Sequence, residues 1–371
     1  MLSSLPVEIR ALTGLRAPLA YWVVAYHFMP LADESSLWAL LGPGHLAVDV
    51  FFVLSGYVLT QRYAAVELQE ASQRRQFWLR RFARLYPLYV VSLALGIAAA
   101  WPHNLPTLMS ATGQLRTVLQ LLMLNAWAHL AMFSPNWAAW SLSVEALFYV
   151  LFPALLLALR SRSARALWLV FVFACACCWI APTVYTLLDP DGLGRPLLRS
   201  DQVLWSWYLK FFPVQRVPEF IAGICSALLA RRLAPAADRK MWPLAMLAVL
   251  ELTVAACTWL SNAFLFCGVL TPACALLVWA IDRWGCGWLA SRPLVALGHA
   301  SYATYILHVP WHYTLRRLVG VDELDALQFT VYVCSLVCLS LVAWRWVEEP
   351  LRKRITASAS RRPELRNAPS L

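Results

Sequence analysis

Apolar runs of about 20 residues recur along the chain and are separated by shorter polar segments. A helix needs roughly 20 apolar residues to cross the hydrocarbon core of a bilayer, which is about 30 Å thick. The pattern therefore predicts an all-α membrane protein, a polytopic helical bundle of about ten transmembrane helices. The predicted spans cover about 12–31, 45–61, 85–101, 137–159, 166–187, 207–230, 241–260, 262–281, 297–318 and 327–347.

The basic residues between these runs predict the orientation of the bundle. Cytoplasmic loops of membrane proteins carry an excess of Lys and Arg. The segment between the second and third spans is strongly basic, which places it and the N-terminus in the cytoplasm. Because the number of spans is even, the C-terminus is predicted to be cytoplasmic too. The arginines of this segment are Arg62, Arg74, Arg75, Arg80, Arg81 and Arg84.

Two neighbouring apolar segments, 115–132 and 137–159, leave the number of spans open. If both cross the membrane, the basic segment 160–165 lies outside, against the charge rule. If only 137–159 crosses, the basic segment 160–165 and every later basic loop face the cytoplasm. We therefore expect 115–132 to be re-entrant or packed against the bundle, and eleven spans is the alternative.

The composition agrees with the membrane class, because 61% of the 371 residues are hydrophobic and 14% are charged. The formal net charge of +11 would also suit a nucleic-acid-binding protein. The basic residues lie between apolar runs, however, so we assign them to cytoplasmic loops and to contact with the bilayer, and we expect no nucleic-acid partner. The ten Cys lack His at zinc-ligand spacing, which predicts no metal site.

One membrane domain is predicted over residues 1–350, with no internal repeat and no second soluble domain. Residues 351–371 are polar and basic and are predicted to form a disordered cytoplasmic tail. The N-terminal sequence lacks the basic region, short apolar core and small-residue cleavage site of a signal peptide. The first apolar run is therefore expected to remain in the protein as a helix.

Arg16 and His27 stand at the two ends of an apolar helical stretch. Eleven positions make almost three helical turns, so both side chains lie on one face, about 16 Å apart along the axis. Ionisable residues inside a membrane are costly and usually mark function. A neutral His27 can act as a general base on a hydroxyl, and Arg16 can meet an anionic ligand. The alternative for His27 is a structural hydrogen bond.

Two arginines stand where the third predicted span enters the membrane, in the run RRFARLYP. Arg81 and Arg84 are three residues apart, so their guanidinium groups lie on one helical face and can clamp one polyphosphate. The alternative is a positive anchor at the cytoplasmic membrane surface. The spacing alone is compatible with both interpretations.

Further ionisable side chains lie in apolar surroundings, where each must be paired, protonated or facing a cavity. A carboxylate among them can orient His27 by accepting its second ring N–H. His308 is a second candidate histidine, either at the site or in a structural hydrogen bond. The carboxylates are Asp49, Glu145, Glu219 and Glu251, of which Glu251 carries the weakest signal.

Six motifs follow one another along the chain in a recognisable order. They are RALTGLRAPLAYWVVAYHF, GHLAVDVFFVLSGYVLT, RRFARLYPLY, NWAAWSLSVEALFYVLFP, VPEFIAGI and SYATYILHVPW. Together they resemble the acyltransferase 3 family of integral membrane O-acyltransferases over about residues 10–350. Each motif alone is short, but the ordered set is specific.

The resemblance implies a bacterial inner-membrane enzyme that passes an acyl group, commonly acetyl, from acyl-CoA to a hydroxyl of a carbohydrate or glycoconjugate. Acyl-CoA is the donor co-substrate, and no cofactor is implied. The family's Arg–His pair corresponds to Arg16 and His27. Its Arg-x-x-Arg pair corresponds to Arg81 and Arg84, and the acid of its Trp-Ser-Leu-x-x-Glu motif to Glu145.

The chain departs from the family pattern in places. Thr13 stands where members often have Asp, and Pro18 replaces a small or apolar residue, which can bend the first helix. Some members carry an additional SGNH-type domain, which we do not expect here. If the acceptor needs a second transfer step outside the membrane, another protein must supply it.

The predicted mechanism places the CoA phosphates on the paired arginines and uses His27 as the general base. Glu145 or Asp49 is expected either to orient His27 or to bind sugar hydroxyls, and an acyl-histidine intermediate is a variation. A transporter or flippase of a glycolipid or sugar-containing substrate is the alternative function, because intramembrane charges suit it equally well. The candidate catalytic residues are His27, Arg16 and Glu145, and the candidate substrate-binding residues are Arg81, Arg84, Asp49, Glu219 and His308.

Overall fold

A computed structural model describes residues 10–30, 43–99, 105–129, 135–198, 201, 203–233 and 242–360. Helices make up most of these ranges, and no strand occurs within them. The all-α prediction is therefore confirmed for the described part of the chain. Residues 361–371, part of the predicted disordered tail, lie outside the described residues.

The described residues form fifteen α-helices and three short helices of other types. A six-residue π-helix, Ala343–Glu348, joins the last two α-helices, and Trp137–Ala139 and Pro213–Arg216 are short 3-10 helices. In chain order the α-helices are α1 Arg10–Phe28, α2 Leu46–Tyr63, α3 Ala71–Ala99, α4 Leu105–Met109, α5 Ala111–Leu121, α6 Trp140–Leu159, α7 Ala164–Leu188, α8 Leu204–Phe211, α9 Val217–Ala230, α10 Trp242–Trp259, α11 Asn262–Leu265, α12 Thr271–Trp284, α13 Arg292–Val319, α14 Ala326–Val342 and α15 Glu349–Ser360.

Within the described ranges, four helical stretches are both long and apolar enough to cross a bilayer, and Pro243–Trp259 is a shorter apolar helix. An α-helix satisfies the hydrogen-bonding groups of its own backbone, so it can cross the lipid core. The chain is therefore a helical membrane protein, while the number of about ten spans and the cytoplasmic termini stay predictions. The four stretches are Ala71–Ala99, Trp137–Leu159, Ala164–Leu188 and Ala326–Ala357.

The apolar segment 115–132 forms no spanning helix in its described part. Helix α5 has 11 residues and ends at Leu121, which gives a length of about 16 Å. Its last turn meets the middle of α3, where Tyr86 and Tyr89 donate hydrogen bonds to the carbonyls of Leu121 and of the residue before it (3.1 and 2.6 Å). The chain then turns at Met123, whose φ is 57°. A helix this short does not cross the hydrocarbon core.

Loops that are distant in sequence meet at one end of the bundle. Arg160 lies 3.3 Å from the Glu67 carboxylate, and Arg231 donates a hydrogen bond to Gln61 (3.4 Å). We call this end, marked by these four residues, the basic end. The loop that follows α6 therefore lies on the same side as the loop between α2 and α3, as the ten-span interpretation requires.

Close glycine contacts set the spacing of two helix pairs. A Cβ added at Gly298 on α13 would lie 1.9 Å from the Thr13 carbonyl oxygen on α1. On α2 and α9, a Cβ at Gly56 would lie 2.3 Å from the Phe220 carbonyl oxygen. Small residues at such crossings let two backbones approach closely. The first contact holds α1 against α13.

Three predicted elements differ from the observed ones. The predicted span 207–230 is broken between α8 and α9 at Pro213, because proline lacks the N–H that continues a helix. The predicted span 262–281 is broken before α12 at Gly268, whose φ of 71° is not helical. Helix α15 runs to Ser360, so residues 351–360 of the predicted tail are helical, and the disorder of residues 361–371 stays a prediction.

Candidate active site

An open cavity lies between α1, α2, α3, α6 and α13, and its volume is about 810 Å³ when the solvent space at its mouth is included. Four of the predicted site residues lie on its wall, namely Arg16, Arg81, Arg84 and Glu145. The cavity therefore gathers three cationic groups and one carboxylate from three helices. The rest of its lining is apolar or hydroxyl-bearing: Val48, Phe51, Phe52, Leu54, Ser55, Val58, Leu59, Leu85, Ser141, Leu142, Tyr149, Ser301, Tyr302 and Tyr305.

Arg81 and Arg84 reach the cavity because α3 begins at Ala71, well before the predicted start at 85. Both arginines are therefore helical and about one turn apart on one face. Arg81 is 7% exposed, and its guanidinium carbon lies 5.8 Å from the ring centroid of Tyr149 and 5.9 Å from that of Tyr63. Cation–π contacts of this kind hold a desolvated guanidinium in place. The pair presents positive charge to the cavity.

Glu145 belongs to the arginine side of the cavity. Tyr149, one turn later on α6, donates its hydroxyl hydrogen bond to Glu145 Oε1. Glu145 also lies within electrostatic range of Arg84. A carboxylate in an apolar bundle needs such a cationic partner. Glu145 thus contributes negative charge beside the arginine pair.

Ser141 and Tyr305 line the part of the cavity that is further from the basic end. Ser141 Oγ donates to Tyr305 Oη (2.8 Å), and Tyr305 Oη donates to the Ala138 carbonyl (3.0 Å). The Tyr305 ring centroid lies 5.6 Å from that of His308, one turn along α13. The cavity therefore extends from the arginine pair to the immediate neighbourhood of His308.

His27 and His308 meet although 281 positions separate them. His27 Nδ1 lies 3.0 Å from His308 Nε2, and the two rings are nearly parallel, at 11°, with centroids 5.2 Å apart. His308 Nδ1 donates a hydrogen bond to the Tyr305 carbonyl. In neutral imidazoles this leaves His308 Nε2 as an acceptor, so His27 Nδ1 carries the shared proton. Nε2 is then the basic nitrogen of His27.

Aromatic side chains surround the histidine pair. The Trp137 ring stands edge-on to His27, with centroids 4.6 Å apart and an interplanar angle of 84°. Its indole N–H donates to Tyr313 Oη (3.0 Å). Phe28 stacks on His312 with centroids 3.7 Å apart. These rings give the histidine pair a largely aromatic surrounding.

Asp49 and Glu219 lie away from the cavity lining and share one arginine. Arg216 Nη2 lies 2.6 Å from Asp49 Oδ1, and Arg216 Nη1 lies 3.0 Å from Glu219 Oε1. All three side chains are at most 3% exposed. Breaking a buried ion pair leaves an uncompensated charge, which is strongly destabilising. The two carboxylates predicted to bind substrate therefore have a structural partner.

Two buried ionisable residues, Arg216 and Glu348, were not identified as candidates from the sequence. Arg216 lies in an apolar region directly before the motif VPEFIAGI, and its position between two apolar runs was the available signal. Glu348 is buried, with 6% exposure, although it stands beside a second glutamate and close to a basic segment, a pattern typical of a membrane surface. Both were identified by their tertiary neighbours.

A family model matches nearly the whole chain. It is described as an acyltransferase domain, of the acyltransferase 3 type, and it covers residues 9–345. The chain is also similar to the protein named Acyltransferase MdmB of Streptomyces mycarofaciens. The two are 29% identical over 363 residues, which cover 91% of this chain and 87% of that relative.

Two further relatives are longer than this chain. It is 24% identical over 380 residues to Peptidoglycan O-acetyltransferase OatA of Listeria monocytogenes, which covers 93% of this chain. It is 26% identical over 391 residues to Putative peptidoglycan O-acetyltransferase YrhL of Bacillus subtilis, which covers 95% of this chain. The chain spans 56% of the length of each of these relatives. No solved structure matches it.

Proposed function

Since the chain belongs to the acyltransferase 3 family of membrane O-acyltransferases, we propose that it moves an acyl group from acyl-CoA to a hydroxyl of a carbohydrate or glycoconjugate. Membership of an enzyme family argues against the transporter alternative. The observation that carries the proposal is the cavity that runs from Arg81 and Arg84 to Tyr305, beside the histidine pair.

Acyl-CoA enters from the basic end in this proposal. Arg81 and Arg84 hold the phosphates, because a guanidinium matches phosphate geometry and keeps its charge when desolvated. The pantetheine arm follows the cavity past Arg16. The rise along α1 from Arg16 to His27 is about 16 Å, and the pantetheine arm covers this distance between Arg16 and the base.

His27 Nε2 takes the proton of the acceptor hydroxyl while the hydroxyl oxygen attacks the thioester carbonyl carbon. The tetrahedral intermediate then releases the CoA thiolate, which takes the proton back from His27. One ester forms and one thioester breaks, so no net proton is released. A well-placed general base contributes about 10²–10⁴-fold to such a step. His308 maintains the tautomer of His27 that this step requires.

The acceptor approaches from the end opposite the basic end, where His27 lies. We propose acetyl as the acyl group and a carbohydrate as the acceptor, since two relatives carry the name peptidoglycan O-acetyltransferase. Trp137, half-buried beside His27, offers an apolar ring surface at this point. We place the protein in the inner membrane with the basic end in the cytoplasm, where acyl-CoA is found.

Calorimetry of acetyl-CoA binding to the purified protein in detergent tests the donor. The wild type should bind saturably, and salt should weaken the binding because it screens charge. Arg81→Ala/Arg84→Ala should lose at least tenfold in affinity. Arg75→Ala/Arg80→Ala on the same helix removes two arginines outside the cavity lining and should bind as the wild type does.

The outcomes of this experiment are distinct. A folded wild type that does not bind acetyl-CoA would refute the donor assignment. Equal binding by both double variants would keep the donor and return Arg81 and Arg84 to a role as a topology anchor. His27→Ala should keep donor binding but lose acyl transfer, and normal turnover by that variant would remove His27 from the mechanism.

A further inference from the structure

Glu348 is the last residue of the π-helix that joins α14 to α15. π-helical turns are rare and are often found at functional sites. Pro350 follows two residues later, and a proline disturbs the regular hydrogen bonds of the preceding turn. The altered turn separates two adjacent glutamates, because Glu349 pairs with Lys353 at 3.2 Å whereas Glu348 is buried.

The Glu348 side chain is buried, and one of its two carboxylate oxygens has no hydrogen-bond partner within the described part of the chain. Its side chain is 6% exposed. Oε2 has no hydrogen-bond partner among the described residues. Buried polar atoms in native proteins nearly always have a partner, so an unpaired carboxylate oxygen calls for a functional explanation.

The π-helix that carries Glu348 packs against α3 and α13, which brings cationic groups of three helices near its carboxylate. Arg84 of α3, Arg16 of α1 and Arg352 of α15 all lie within its electrostatic range, together with Glu349 on its own helix. Arg84 and Arg16 line the cavity proposed for the donor. Glu348 therefore lies near the same guanidinium groups that the phosphates and the pantetheine arm of acyl-CoA would approach.

We propose that Glu348 is an internal counter-ion of these cavity arginines and competes with the phosphates of acyl-CoA and CoA for them. This inference rests on the proposed function, because it takes acyl-CoA as the donor. In the empty cavity the carboxylate offsets the mutual repulsion of closely spaced guanidinium groups. When a polyanion binds, the same negative charge repels it and weakens its binding.

The consequence is easier release of the product. CoA carries the same phosphates as the donor, so tight phosphate binding stabilises substrate, transition state and product alike and does not raise the rate of the chemical step. Product release limits turnover in many enzymes. A counter-ion within reach of Arg84 lowers the affinity for CoA and lets the cavity empty after each transfer.

The test compares CoA binding by Glu348→Gln and Glu349→Gln in the purified full-length protein. Glu348→Gln keeps the shape but removes the charge, so CoA should bind about tenfold more tightly and dissociate more slowly, with a steeper dependence on salt. Glu349→Gln, the adjacent control, should bind CoA as the wild type does. Pantetheine, which lacks the phosphates, should bind equally to all three proteins.

Folding is checked by thermal unfolding, and Glu348→Met serves as a second neutral variant, because an apolar residue of similar volume suits a buried site. If the neutral variants bind CoA as the wild type does, or more weakly, the counter-ion role is wrong although the donor assignment stands. If the folded wild type does not bind CoA, the donor assignment itself fails and the role of Glu348 fails with it.

Discussion

Replacing His308 with leucine should slow acyl transfer without weakening donor binding. His308 is 0% exposed, and its Nε2 accepts the proton on His27 Nδ1 at 3.0 Å. Leucine fills the space but accepts no hydrogen bond. His27 then loses both the group that selects its tautomer and a ring that packs parallel to its own.

The size of the effect follows from this one hydrogen bond. A buried N–H that loses its partner costs about 1–3 kcal/mol. At about 1.36 kcal/mol for each tenfold change in rate, kcat should fall by about 5- to 150-fold. His27→Ala should lower kcat more strongly, by about 10²–10⁴-fold, because that variant lacks the base, whereas His308→Leu retains it.

The assay is the release of CoA thiol from acetyl-CoA, with water as the acceptor, over a range of donor concentrations. The KM for acetyl-CoA should stay constant, since the arginines are unchanged. His312→Leu is the matched control, because His312 lies one turn further along α13 and stacks on Phe28. Wild-type kcat in His308→Leu would refute the tautomer argument. An equal fall in both leucine variants would indicate a packing effect instead.

Three further predictions concern packing, buried charge and the loop between α7 and α8. In Gly298→Ala the added Cβ would lie 1.9 Å from a backbone oxygen of α1. By displacing α1, this variant should lower the thermal unfolding temperature and reduce kcat about 10²-fold. Gly287→Ala is the control and should change neither quantity, because an added Cβ there meets no described atom within 4 Å. Arg216→Ala should destabilise the protein by about 3–5 kcal/mol in denaturant unfolding, because two buried carboxylates lose their partner, and unchanged unfolding would contradict the ion-pair assignment. The hydrogen bonds from Arg195 and a backbone N–H lower the pKa of Asp201 from 3.8 to about 2. Because the folded-state pKa of Asp201 is depressed, its hydrogen bonds should stabilise this loop fully above pH 3.8, and the stabilisation should be lost as the pH falls through 2. Hydrogen exchange of the loop amides measures this loss. Exchange that is independent of pH, after correction for the intrinsic rate, would argue against a stabilising role of Asp201.

Local patterns in the sequence were enough for the fold class and for the residues that share one helix. Apolar runs predict membrane helices because the bilayer sets their length. Arg81 and Arg84 are predicted on one face because they are three residues apart, and the structure places both on the cavity wall. The same local reasoning joins Arg16 to His27 on α1.

The positions at which an apolar run does not form one continuous helix were harder to predict from the sequence. The breaks at Pro213 and Gly268 interrupt predominantly apolar runs, so hydrophobicity alone predicts one span where the chain forms two helices. The segment 115–132 is apolar enough for a span, yet its helix α5 ends at Leu121 against Tyr86 and Tyr89. Contacts between helices decide these cases, and a one-dimensional pattern does not contain them.

The pairing of the ionisable groups was decided by tertiary structure alone. Sequence analysis offered Asp49 or Glu145 as the partner of His27, whereas His27 meets His308, Asp49 meets Arg216 and Glu145 accepts from Tyr149. Each ionisable residue in an apolar run demands a partner, because an unpaired charge in lipid is costly. The sequence therefore predicts that each such residue has a partner, but many residues could serve as that partner equally well. The choice among them depends on how closely helices such as α1 and α13 approach, which their packing determines.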